Sequence, residues 1–110
     1  MKIALLILFC ATSAFAGQIN PQYAQRIADA IYKAEGGANT RHPYGVLIKC
    51  KNPRQVCLNT IAHAWKDWEM AGSKGDFIEF LGARYAPVGA ANDPHGLNKN
   101  WVSNVRRFLK

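Results

Sequence analysis

At 110 residues, with 49% hydrophobic and 19% charged side chains, the chain is sized for one small folded domain, and its apolar content excludes a disordered polyelectrolyte. Fourteen Lys and Arg against seven Asp and Glu give a formal net charge of +7, which favours an anionic partner. No P-loop, dinucleotide fingerprint or Ser/His/Asp nucleophile arrangement is present, so nucleotide-driven and serine-hydrolase chemistry are set aside.

The first residues read as an export signal. Met1-Lys2 is a short positive region, Ile3 to Phe9 is apolar, and Ala14-Phe15-Ala16 before Gly17 is a small-x-small cleavage site. The apolar run is too short for a bilayer span, and bulky Phe9 before Cys10 argues against a lipid anchor. The expectation is a signal peptide over residues 1–16 and a single domain over 17–110, periplasmic or secreted, with no stable membrane insertion after cleavage. Without Lys2 the charge stays near +6, which suits cell-wall polymer, phospholipid headgroups or released nucleic acid, or else a solvated surface.

A domain of this size has a core near the lower limit for unaided folding. Cys50 and Cys57 are the two cysteines after the cleavage site, and in an exported chain they are expected to form a disulfide. Closing so short a loop stabilises by roughly 2–3 kcal/mol in the chain-entropy view. A zinc pair is the competing reading, but no second Cys/His pair stands at ligand spacing, so no metal is expected.

Asn20-Pro21 opens the first helix as N-cap and first helical residue. Tyr23, Ile27, Ile31 and Ala34 then fall on one face, and Gly36 stops the helix just after Glu35. Gly36 to Pro43 reads as a loop, and Tyr44 to Cys50 has the apolar, β-branched character of a short strand. Asn52-Pro53 repeats the start signal, and Leu58, Ile61, Trp65 and Trp68 make the stripe of a core helix ending at Gly72. Ser73 with Asp76 approximates a capping box for a third helix carrying Phe77, Phe80, Leu81 and Tyr85 until Pro87. Ala86 to Asn98 lacks periodicity, and a last helix begins near Asn98 with Trp101, Val102, Val105, Phe108 and Leu109 inward. The fold class expected is mainly α, four helices and one short β element.

Glu35 is the candidate catalytic residue. A carboxyl at a helix C-terminus faces the negative end of the dipole, and burial beside Tyr32 or Tyr44 would add a desolvation penalty, so both raise its pKa. An acid protonated near neutral pH is what protonation of a leaving sugar oxygen requires. Asp29 lies within the first helix, and after Glu35 no acid appears until Asp67, so the second carboxylate of most glycoside hydrolases is missing nearby.

Glu35-Gly36-Gly37 at a helix end, with Gly45-Val46-Leu47 downstream, resembles the lysozyme-like superfamily, in particular small lytic transglycosylases and phage-type muramidases. There a helix presents a catalytic Glu, often in a Glu-Ser-Gly context, and a Gly-Leu-Met-Gln segment lines the cleft. The resemblance spans about residues 20–70, and Ile48 or Lys49 stands where the Gln would be. Arg84-Tyr85-Ala86-Pro87 and Asn98-Lys99-Asn100-Trp101-Val102 are similar to segments of small secreted and phage-encoded proteins of this kind. The resemblance implies a lysozyme-like helical domain that cleaves the β-1,4 bond between N-acetylmuramic acid and N-acetylglucosamine, with Glu35 as acid and base. It implies peptidoglycan as partner, no nucleic acid and no cofactor. A late tyrosine and an asparagine approach the acid and the sugar in that family, which implies Tyr85 and either Asn92 or Asn98. Tyr44, Gly45, Val46 and Trp101 complete the expected substrate-binding set, whereas Trp65 and Trp68 belong to the core stripe. His42 is a further cleft candidate, and Lys33, Arg41 and Lys49 would meet carboxylates of the wall. The alternative function is a non-catalytic basic periplasmic module that binds peptidoglycan or a protein. A membrane-active cationic protein is less well supported, because Arg106, Arg107 and Lys110 cluster at one terminus.

Overall fold

The computed structural model describes residues 17–89 and 96–110. The expected signal segment 1–16 and the site candidate Asn92 lie outside the described residues.

Four α-helices carry the described part of the fold: α1 (Pro21–Ala34), α2 (Pro53–Met70), α3 (Phe77–Tyr85) and α4 (Trp101–Leu109). The two Asn-Pro starts behave as local chemistry dictates. Asn20 Oδ1 accepts from the backbone N–H groups of Gln22 and Tyr23 at 2.9 and 3.1 Å, and Asn52 Oδ1 accepts from Gln55 N at 3.1 Å. The third helix starts later than the capping-box pattern implies. Asp76, not Ser73, is its cap and accepts from Glu79 N at 3.2 Å, while Ser73 sits at φ 53 in the preceding turn.

α1 packs most extensively on α4 and also on α2, which in turn meets α3. Ile27 and Ile31 of α1, Cys57 and Ile61 of α2, Leu81 of α3 and Val105 of α4 are fully buried where these helices meet. Truncating one of the aliphatic members to Ala would cost about 2–5 kcal/mol. At Gly82 a β-carbon would stand 2.9 Å from Val102 Cγ2 and 3.1 Å from the Trp101 ring, so the absent side chain lets α4 close onto α3. That approach seats Trp101.

Two expectations need correction. Residues 44–50 are not a strand, and no strand occurs among the described residues. Pro43–Gly45 forms a single 3₁₀ turn with Tyr44 at φ 62 and Gly45 at φ 70, a left-handed pair incompatible with extended backbone, and no second strand is there to pair with. Nor is the disulfide formed: Cys50 and Cys57 are free thiols. Cys57 is turned inward from α2 with no exposure, whereas Cys50 is exposed ahead of the Asn52 cap.

Candidate active site

Glu35 occupies the C-cap of α1, its N–H bonded to Ile31 O at 2.9 Å, with Gly36 in the left-handed conformation at φ 108. The helix hands over its last side chain and the chain turns away at once. That side chain enters a cleft of about 230 Å³ walled by Thr40, His42, Gly45, Leu47, Tyr85 and Asn98. No second carboxylate among the described residues lines this cleft.

The floor is set by the turn after Pro43. A β-carbon at Gly45 would meet Glu35 Oε2 at 2.5 Å and Cδ at 2.9 Å, so the backbone itself lies against the carboxyl. Only glycine combines that approach with φ 70 at low cost. Tyr44 before it is also left-handed, a strain of roughly 1–3 kcal/mol that surrounding contacts must outweigh. Three contacts do so. Its ring packs on Tyr32 at 5.0 Å between centroids, its hydroxyl accepts from Arg54 Nη1 at 2.9 Å, and its carbonyl accepts from the Tyr85 hydroxyl. Arg54 is anchored in turn by Asp29 at 2.9 Å, tying the start of α2 to α1.

Burial holds the Glu35 carboxyl above its ordinary value of 4.5, because the ionised form loses hydration. The Trp101 indole opposes that shift. Its Nε1 is buried without a partner in full hydrogen-bonding geometry, yet it stands close enough to the carboxyl to favour the anion. Trp101 also stacks on Tyr85, with ring centroids 5.4 Å apart. Burial pushes the Cys57 thiol up to about 11 and the Tyr85 phenol far upward, and a charge on Glu35 reinforces both. Glu35, Cys57 and Tyr85 therefore form one cluster that resists negative charge.

The sequence candidates are placed unequally. Gly45 and Tyr85 line the cleft with Glu35, and so does Asn98, whose Nδ2 donates to Pro87 O at 3.0 Å. Val46 lines the two depressions beyond Leu47. Tyr44 is 9% exposed and Trp101 5%, so neither offers a ring face to a sugar, and both lie behind the wall as supports. Trp65 packs with Trp68, Tyr23 and Phe77 in an aromatic cluster, as expected of the core stripe. Sequence reasoning missed Arg54 and Cys57 as members of the site's surroundings. Nothing local marks Arg54, since its partners Asp29 and Tyr44 are brought to it by packing.

The cleft shares wall residues with two neighbouring depressions. It shares Ala86 and Asn98 with a depression of about 410 Å³ walled by α3 and the start of α4. It also shares Gly45, Leu47 and Tyr85 with one of about 290 Å³ that reaches Val56 and Thr60 of α2. Among the described residues no group of three or more His, Cys, Asp and Glu side chains converges as a metal site, and no helix is long and apolar enough to cross a membrane. Comparison with family models, with curated proteins and with solved structures finds no match to this chain.

Proposed function

We propose that the protein is a peptidoglycan-cleaving enzyme of the exported compartment, acting on the β-1,4 bond between N-acetylmuramic acid and N-acetylglucosamine with Glu35 as the single acid and base. One observation carries the reading: a half-buried carboxyl whose pKa burial raises, with no second carboxylate among the described residues lining its cleft, and with further depressions adjoining that cleft through shared walls. Adjoining depressions suit a linear polymer passing a proton donor, with sugar units lodged in more than one of them.

The chemistry follows from one group. Glu35 gives its proton to the glycosidic oxygen as the bond to the muramyl anomeric carbon breaks, releasing the N-acetylglucosamine 4-hydroxyl. The resulting carboxylate takes the proton of the muramyl 6-hydroxyl, whose oxygen closes onto the anomeric carbon and leaves a 1,6-anhydro ring. No water is consumed, and Glu35 ends protonated. Most glycoside hydrolases use a second carboxylate to activate water or form a covalent adduct, and none lines this cleft among the described residues. A protein that only binds cell wall has no need of a carboxyl held off from ionisation, and this favours catalysis over the binding-module alternative.

Product chemistry tests the assignment. Purified sacculi digested by the protein should release muropeptides ending in 1,6-anhydro rings. Reducing ends would mean hydrolysis, and sedimentation with the wall without soluble product would mean a binding module.

A further inference from the structure

Beyond Leu47 the surface holds another depression, of about 420 Å³, walled by Pro43, Val46, Leu47, Ile48, Arg41 and Lys49. It shares His42 and Leu47 with the Glu35 cleft. Its lining combines two cations with apolar walls and no carboxylate, where the neighbouring depressions have one cation or fewer. Leu47 and Ile48 are 58% and 68% exposed and stand next to each other in the chain, whereas the other strongly exposed large hydrophobics among the described residues, Met70 and Val88, stand apart in sequence. The ion pairs among the described residues use Arg54, Arg84 and Arg106, and neither Arg41 nor Lys49 takes part in one. Two uncompensated cations beside exposed aliphatic side chains fit a ligand that is both acidic and partly apolar.

We propose that this depression binds the acidic stem peptide of the muramyl residue lying against Glu35, so that the protein selects peptide-bearing over denuded glycan. The proposal rests on the peptidoglycan reading above for the identity of the peptide. Connectivity supports it. The stem leaves the muramyl ring through the lactyl ether, on the same sugar whose anomeric carbon faces the acid. A peptide leaving that ring enters the next depression along the wall. Its alanine methyl groups meet Leu47, Ile48 and Val46, and its free carboxylates meet Arg41 and Lys49. The volume lies within the range of pockets that hold small ligands.

Two arms test the proposal. In the first, wild type and the double variant Arg41→Gln/Lys49→Gln act on peptide-bearing strands and on the same strands stripped by an amidase. Wild type should cleave the former faster by about tenfold, the change given by one hydrogen bond between charged groups. The double variant should lose that advantage and keep its rate on stripped strands. Equal wild-type rates on the two substrates would overturn the proposal and leave the catalytic reading standing. In the second arm, free tetrapeptide L-Ala-γ-D-Glu-diaminopimelate-D-Ala is titrated into Glu35→Gln protein and followed by amide chemical shifts. Shifts confined to residues 41–50, and lost in the double variant, support the site even if the protein proves to have no turnover. No shift there, or shifts unaffected by the double variant, overturns it.

Discussion

Gly45 lies so close to Glu35 that a β-carbon on it would stand 2.5 Å from Oε2. The turn and the acid are therefore fitted to each other, and the left-handed Tyr44-Gly45 pair presses the backbone against the carboxyl. Gly45→Ala should displace the Glu35 side chain and lower turnover by about a hundredfold, the scale of a 1 Å misplacement. The same change imposes a side chain on a left-handed backbone, costing roughly 1–2 kcal/mol of stability. Turnover of sacculi together with a urea melt checks both. An active, fully stable alanine variant would show that the two groups are not coupled.

Glu35 should also be visible in the pH dependence of folding. Its pKa is raised in the native state, chiefly by burial, so the native protein holds this proton more tightly than the unfolded chain. The stabilisation is fully present below about 4.5, the ordinary value, and is lost as pH rises through the higher native value. Glu35→Gln removes the titration. Thermal melts of the two proteins should nearly coincide in their pH response below that value, and wild type should fall behind the variant as pH rises above it.

Trp101 acts in the opposite sense to burial, since its indole favours the carboxylate. Trp101→Phe keeps an aromatic ring against Tyr85 and deletes the donor. The Glu35 pKa should rise further, moving the alkaline limb of the pH-rate profile to higher pH. Trp101→Ala would instead open a cavity and cost about 3–5 kcal/mol. A profile unmoved in Trp101→Phe would mean that the indole does not reach the acid.

The two thiols should react very differently. Cys50 is exposed, whereas Cys57 is buried with its thiol pushed up to about 11. Iodoacetamide at neutral pH should label Cys50 in the native protein, and Cys57 only after denaturation. Peptide mass spectrometry distinguishes the sites. A pair of cysteines that stays unlabelled on denaturation and reacts only after reduction would mean a native Cys50–Cys57 bridge and contradict the free thiols described.

What could be read from the sequence was what local chemistry decides. Asn20-Pro21 and Asn52-Pro53 start helices because a side-chain oxygen and a fixed φ satisfy the first turn, and Gly36 ends one because it accepts φ 108. Glu35 was legible for the same reason, as the last side chain before that stop. Tyr44 to Cys50 misled because β-branched content describes a strand only when a partner strand exists, whereas here Tyr85, Tyr32 and Arg54 hold Tyr44 in a turn. The direction of Cys57 and the burial of Trp101 depend on which helix faces lie together, and the stripe of one helix does not reveal that. The third helix shows the same limit on a smaller scale, with Asp76 taking the cap that the capping-box pattern assigns to Ser73.

The most direct test compares wild type with Glu35→Gln on purified sacculi, after melts establish that both are folded. The account predicts soluble muropeptides from wild type and a rate lower by about a hundredfold to ten-thousandfold in the variant, the range expected when a general acid is removed. Equal release from the two proteins would contradict it.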